Sequence, residues 1–248
     1  MSDILAVVQA RTGSTRLPGK VMYPLDGVPV LEHVDNRVEK ANNVDKTVIA
    51  TSTEPQDNVI RDTGERIGAD VIRGSEADVL QRFQTAVEKY TPEVILRVTA
   101  DCPLISPAFI DESILQLRLT DSDYGSAGIN WTFPRGITCE AFTTSSFKRV
   151  IENSTEPRHR EHVTPYYREH PSEFDLLNVE SHEVYDEAWM HDRTDLRLTL
   201  DEPADYRLLE TVYRNIEYEK ILDIRDAIRY VDENELGGIN QHVEQKSV

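Results

Sequence analysis

The chain has 248 residues, with 27 Lys and Arg against 45 Asp and Glu, and a formal net charge of −18. Such an acidic surface argues against a duplex nucleic-acid partner, whose phosphates need a basic face. The longest apolar runs, such as Ile4–Val8, are strand-length and too short to span a bilayer. The N-terminus runs from an acidic residue straight into a strand, with no signal-peptide pattern. A cytoplasmic protein of one domain over residues 1–248 is expected. Cys102 and Cys139 make neither a disulfide framework nor a zinc site. Of the basic residues, 20 are Arg and 7 are Lys. Many carboxylates with few Lys suit a protein kept soluble in high salt, so a halophilic source is expected.

Strand and helix patterns alternate in the first half. Ile4–Gln9 reads as a buried strand, and Val30–Ala41 has apolar residues at helical spacing. Thr47–Thr51 reads as a strand, Gln56–Ile67 as a helix stopped by Gly68, and Asp70–Ile72 as a short strand. Ala77–Tyr90 reads as a helix, Val94–Thr99 as a strand, and Pro107–Leu119 as a helix begun by Ser106. This alternation predicts an α/β protein with a parallel sheet covered on both faces. After Tyr124 the pattern loosens, and an irregular α+β insertion is expected over about residues 125–195. Within it, Gly125–Gly136 looks like irregular strands. Phe142–Asn153 and Pro157–Glu169 read as helices, the second kinked or broken at Pro165, and Phe174–Val179 reads as a strand. Leu196–Leu200 reads as a strand, Pro203–Arg214 and Ile221–Asp232 as helices, and the polar tail after Gly237 as frayed.

The segment Gln9–Lys20, QARTGSTRLPGK, follows the first strand directly. It carries Arg11, Arg16 and Lys20, and no acid occurs between Ile4 and Leu25. In so acidic a chain, that window points to a phosphate-binding loop, with small residues supplying backbone N–H groups and the three cations neutralising charge. It is not a Walker loop: five residues separate Gly13 from Gly19, and Val21 stands where a metal-binding hydroxyl is needed. Its place at the carboxyl end of a first parallel strand is where open α/β sheets bind ligands. Asp101 ends another apolar strand and faces the same crevice. Asp201, before Glu202 and Pro203, is a second candidate carboxylate, or else a helix cap. Two such carboxylates suit one Mg²⁺ whose other ligands are water and phosphate oxygens.

These segments resemble the cytidylyltransferases that activate acidic sugars, the CMP-acylneuraminate and CMP-Kdo synthetases, and more closely the SpsF-like proteins of spore coat polysaccharide synthesis. The supporting segments are the opening loop, Ala50–Ser52, Arg73–Phe83, Arg97–Leu104, Arg160–Tyr166 and Arg197–Pro203. The resemblance implies the nucleotide-diphospho-sugar transferase fold, a Rossmann-like three-layer αβα arrangement. It implies Mg²⁺-dependent transfer of CMP from CTP to an acidic sugar such as a nonulosonic acid, with release of pyrophosphate, by a homodimer. It places Ala10, Arg11, Gly13, Ser14, Arg16 and Lys20 on the nucleotide, together with Ser52, Arg73, Ser75, Asp78, Ala100 and Asp101. Arg11, Arg16, Lys20 and Asp101 are the expected catalytic residues, and Asp101 and Asp201 the expected metal ligands. Arg135, Glu140, Arg160, His162 and Tyr166 are expected on the sugar side. Many members have Gly where this chain has Ala100, a difference bearing on nucleotide fit.

Other constellations are weaker. His159 and His162 lack the H-E-x-x-H spacing of a zinc helix. At four-residue spacing Arg158, His162 and Tyr166 share one helix face if Pro165 leaves the helix whole. Trp131, Phe133 and Pro134–Gly136 line the sugar pocket or pack the insertion. Cys102 reads as a small buried residue rather than a nucleophile. Residues 99–103, Thr-Ala-Asp-Cys-Pro, have no second Asp two positions away. That disfavours a glycosyltransferase of the same fold. A non-catalytic nucleotide-binding protein is the remaining alternative.

Overall fold

The structure is a computed structural model that describes residues 3–245. Side chains alternate along strand β1 (Ile4–Gln9): Ile4, Ala6 and Val8 face one way, Leu5 and Val7 the other. All five are at most 1% exposed, so this strand is covered on both faces. The other strands are β2 (Pro24–Leu25), β3 (Val28–Pro29), β4 (Lys46–Ser52), β5 (Asp70–Gly74) and β6 (Val94–Thr99), then β7 (Tyr124–Ser126), β8 (Glu140–Thr143) and β9 (Leu176–Asn178). Strands β2 and β3 form a small hairpin. The rest make one sheet in the order β5-β4-β1-β6-β8-β7-β9. The first four of that order are mutually parallel. Strand β8 runs antiparallel to β6 and β7, and β9 is parallel to β7.

The helices are α1 (Val30–Lys40), α2 (Asn58–Ile67), α3 (Val79–Tyr90), α4 (Pro107–Thr120) and α5 (Thr144–Asn153), then α6 (Pro157–His162), α7 (Pro165–Glu169), α8 (Ser181–Val184), α9 (Pro203–Asn215) and α10 (Ile224–Glu233). Apolar residues of α1, α2, α4, α9 and α10 pack with Ile4, Ala6 and Val8. Those of α3, α5 and α7 pack with Leu5 and Val7. The result is the sheet covered on both faces that the alternation predicts, in the three-layer αβα, Rossmann-like arrangement that the resemblance implies. No helix among the described residues is long and apolar enough to cross a membrane.

The second half departs from the sequence reading in three places, and the break expected at Pro165 falls two residues earlier. Phe142 belongs to β8, and the following helix starts only at Thr144, because the Thr143 hydroxyl accepts the Ser146 N–H and caps it. The helix expected over 157–169 is broken at Val163, before Pro165. Val163 has φ +69° and ψ −51°, and the Thr164 N–H bonds back to the His162 carbonyl at 2.8 Å, a classic γ-turn. Leu196–Leu200 forms no strand; this extended segment makes a single bridge, between Arg135 and Arg197. The segment following Gly237 is anchored: the Asn240 amide, 1% exposed, donates to the Arg197 carbonyl and to Asp205 Oδ1.

Chain order fixes where a ligand fits. From β1 the chain moves outward to β4 and β5, then returns to β6 on the other side of β1. The loops leaving the carboxyl ends of β1 and β6 therefore diverge and open a crevice between them.

Candidate active site

The loop after β1 is shaped by its own backbone and by one buried acid. The Gly19 N–H bonds to the Thr12 carbonyl at 2.9 Å, closing the loop, and Gly19 takes φ +71°, which a side chain would strain. Asp57, fully buried, accepts the Thr12 N–H and hydroxyl through Oδ1 and the Ser52 hydroxyl through Oδ2. Leu17 and Val21 sink into the core. Arg11, Gly13, Ser14, Arg16 and Lys20 are thereby held along a cleft of about 670 Å³.

Asp101 follows β6 and lines the same cleft, with Ala100 beside it. Asp201 arrives from the other side, on the turn into α9. The cap of that helix is Glu202, whose side chain accepts the N–H of Asp205 while Asp205 binds back. Asp201 is therefore free of capping duty and faces the cleft. Fully buried Asp205 sets the turn: its Oδ2 accepts the N–H groups of Asp201 and Glu202, and its Oδ1 takes Arg197 Nε. The close approach of this segment to 135–136 requires Gly136, which has φ +97° and whose Cβ would lie 2.5 Å from the Thr199 nitrogen.

The two carboxylates meet on one cation. Lys20 Nζ donates to Asp101 Oδ2 at 2.6 Å and to Asp201 Oδ1 at 2.8 Å. Arg16 reaches Asp201 at 3.1 Å and Glu202 at 3.2 Å, and Arg197 reaches Asp201 at 2.6 Å. Burial alone would lower the Lys20 pKa, but Asp101 and Asp201 outweigh it and hold it above the usual value. Burial likewise works to raise the Asp101 pKa, and Lys20 overcomes it and keeps the group a carboxylate. Two carboxylate oxygens from separate segments converging on one positive centre are a donor set that also suits a hard divalent cation. The Cys102 thiol beside them is pushed up to about 12 by burial and by Asp101, so it is not a nucleophile at neutral pH.

The far half of the cleft is built on Glu140. Its carboxylate accepts from Arg97, from the Tyr124 hydroxyl at 2.5 Å and from the Thr164 hydroxyl at 2.8 Å, with Arg168 at 3.6 Å. Oε1 takes the two hydroxyls and faces Arg168 while Oε2 takes Arg97, so Glu140 orients these neighbours along the cleft. Burial disfavours the Glu140 charge, yet Arg97 and Arg168 hold its pKa below the usual carboxylate range. The Arg135 guanidinium lies 4.9 Å over the Trp131 ring and has no acidic partner among the described residues. Burial and then Arg197 lower its pKa. Phe133 is in the core, edge-on to Phe109. Glu161 lines the cleft and pairs with Arg11 at 3.0 Å. His162 lines it too, its pKa lowered first by burial. Counting side chains on the cleft wall, six cations face four carboxylates, in a chain of net charge −18.

Several residues expected at the site do not reach the cleft. Ala10 is buried in the strand end. Ser52 is spent on Asp57, so it steers the loop from behind. Arg73 donates to the carbonyls of Ser52 and Glu54, and Ser75 accepts the Asp78 N–H. Asp78 caps α3 and takes both Nε and Nη2 of Arg160, which removes Arg160 as well. Tyr166 stacks on His170 at 3.9 Å, because the break at Val163 turns α7 away from α6. Arg158 pairs with Glu156 and Glu169; it stays on one helix with His162, and the break at Val163 puts Tyr166 on the next. Conversely Gln9, Arg97, Thr138, Thr164, Arg168 and Thr199 line the cleft without having been singled out by sequence. Gln245 joins them from the tail, accepting from Arg197 at 2.7 Å. Gln9, Arg97, Thr164 and Thr199 fall inside the segments that carry the resemblance, and Arg97 is also marked as a cation inside the strand VILRVT.

A parallel sheet whose switch point holds a cationic loop and two convergent carboxylates has the architecture of a nucleotide-binding α/β protein. Residues 5–235 match the family described as Cytidylyltransferase, and the chain belongs to that family, whose reaction is CMP transfer from CTP. It is 35% identical over 245 residues to an uncharacterised protein of Methanocaldococcus jannaschii, covering 98% of this chain and 97% of that one. It is 34% identical over 219 residues to the spore coat polysaccharide biosynthesis protein SpsF of Bacillus subtilis, covering 86% and 88%. Among solved structures, a cytidylyltransferase from Leptospira borgpetersenii superposes over 100% of both chains with a TM-score of 0.86 at 27% identity. The resemblance to SpsF thus covers 86% of the chain.

Proposed function

We propose that the cleft transfers CMP from CTP to an acidic sugar with the help of Mg²⁺, for surface polysaccharide or glycan synthesis. The observation that carries this reading is the meeting of Lys20, Asp101 and Asp201 at the switch point, beside Arg11 and Arg16. Arg11, Arg16 and Lys20 bind the triphosphate. A sugar hydroxyl attacks the α-phosphorus and gives up its proton to solvent; its oxygen–phosphorus bond forms as the α–β bridging bond breaks, and pyrophosphate leaves. Charge grows on the departing phosphates, and Arg16 and Lys20 neutralise it, so that positioning and electrostatics do most of the catalysis. Mg²⁺ held by Asp101 and Asp201 would add further charge neutralisation at the phosphates. The acceptor lies toward Arg135 and Arg168. An arginine stacked on an indole and lacking an acidic partner suits a carboxylate on the sugar.

Mixing the purified protein with CTP, Mg²⁺ and a panel of 2-keto acid sugars should release pyrophosphate with at least one of them. Neutral hexoses and hexose 1-phosphates should release none. Nucleotide binding without pyrophosphate release across the acidic panel would make the chain a binding protein. Release with a neutral sugar alone would move Arg135 off the acceptor.

The same proposal makes the protein a cytoplasmic homodimer from a halophilic source. Surface repulsion reaches about 10 Å at 0.1 M salt and only about 3 Å at 1 M. The melting temperature should therefore climb across a KCl titration over that range. A flat or falling trace would remove the halophilic part and leave the enzyme reading intact.

A further inference from the structure

We propose that Lys20 is a resident cation which holds Asp101 and Asp201 together and is exchanged for the divalent metal, moving onto the incoming triphosphate as it leaves. This rests on reading the cleft as a metal and nucleotide site, and it adds a coupling between the two ligands. Three observations carry it. The ammonium sits within 2.6 and 2.8 Å of one oxygen from each carboxylate, so it occupies the place where both would grip a metal. Lys20 is only 9% exposed, and Asp101 and Asp201 are the acceptors its ammonium uses. Every other cation of the loop is also neutralised by a protein carboxylate: Arg11 by Glu161, and Arg16 by Asp201 and Glu202.

The consequence is an exchange of partners. A metal that takes Asp101 Oδ2 and Asp201 Oδ1 competes with the ammonium for those oxygens, and Asp201 Oδ1 carries Arg16 as well. Lys20 released without an anion would be a poorly hydrated, unpaired charge, which is costly. A triphosphate supplies that anion, and the flexible four-carbon stem of lysine allows the move. Metal and nucleotide then favour one another by more than their direct contact provides, and the coupling is reciprocal. Arg cannot substitute cleanly, because its rigid planar fork gives up a carboxylate pair less readily than an ammonium does.

Two measurements test this. The first is Mn²⁺ binding followed by the electron paramagnetic resonance of free Mn²⁺, without nucleotide and then with CTP. Lys20→Met should bind Mn²⁺ about tenfold tighter than wild type without nucleotide. Lys20→Arg should not, and CTP should tighten Mn²⁺ binding more in wild type than in Lys20→Met. The second is read first on wild type, so its main outcome does not depend on how a variant folds. Brief acetylation with acetic anhydride, read by peptide mass spectrometry, should label Lys20 faster when Mg²⁺ is added, and labelling should fall again on adding CTP. In Asp101→Asn, Mg²⁺ should cause no such rise. Unchanged Mn²⁺ affinity in a folded Lys20→Met, or Mg²⁺-independent labelling of Lys20, overturns the exchange while leaving the site reading in place. Failure of wild type to bind either Mn²⁺ at millimolar concentration or CTP overturns both.

Discussion

Asp101→Asn should lower kcat by about a hundredfold or more, the scale seen when one electrostatic element of a charged transition state is removed. A hundredfold is about 2.7 kcal/mol at about 1.36 kcal/mol per tenfold. The expectation follows from position. Asp101 leaves β6 at the switch point, and one of its oxygens converges with Asp201 on a single positive centre. Asn keeps the shape and one acceptor oxygen, so Lys20 retains a partner there and keeps Asp201 as a second. Folding should therefore change far less than turnover. Paired measurements of pyrophosphate release and melting temperature separate the two. A variant with wild-type kcat would take Asp101 out of the chemistry. A variant that merely melts early with normal turnover would make it a structural acid. Asp201→Asn should also lose turnover, because the helix cap is Glu202 and the turn is set by Asp205.

What the sequence discloses here and what it hides follow from the range of each interaction. Strands β1 and β6 lie where the aliphatic runs put them, to the residue, because both are buried on two faces and need no alternation to be recognised. The cationic loop stands out because an acid-free window is conspicuous in so acidic a chain. The parts that stay hidden depend on partners distant in sequence. Arg97 meets Glu140 across 43 positions, so neither residue advertises the pair. Asn240 draws its burial from Arg197 and Asp205, 43 and 35 positions away, and composition alone makes that tail look frayed. Strand β8 is four residues long and shares Phe142 with the apolar spacing of the helix that follows. Val163 gives no local sign of a positive φ, since β-branched residues avoid it; tertiary packing imposes the turn on a fully buried side chain. Ser52, Arg73 and Asp78 are a different case. Their segments resemble the family's, yet their side chains spend their hydrogen bonds on the protein itself.

Glu140→Gln should be the most destabilising single change at the site. Its carboxylate is the shared acceptor for Arg97, Tyr124 and Thr164, and it balances Arg168 as well. Gln keeps the volume but removes the charge and turns one acceptor into a donor facing a guanidinium or a hydroxyl. Removing one member of a buried pair strands the other, at about 3–5 kcal/mol. The side chains of Glu140 and Arg97 are 13% and 15% exposed and Arg168 is 37%, so water relieves part of this and the lower end applies. About 3 kcal/mol corresponds to a fall of about 6–12 °C in melting temperature for a chain of this size. The pH dependence has a definite sign. Arg97 and Arg168 hold the Glu140 pKa below its unfolded value, so its contribution is complete above about pH 4.3. It is lost as pH falls through the lower folded value. Urea unfolding at pH 7 should thus separate wild type from Glu140→Gln widely, and the gap should narrow on acidification. A gap that widens in acid, or is absent at pH 7, would show that Arg97 and Arg168 find other partners. With the arginines loosened, the acceptor KM should rise by a larger factor than the KM for CTP, because Glu140 supports the half of the cleft proposed for the acceptor and makes no hydrogen bond to Lys20, Arg16 or Asp201.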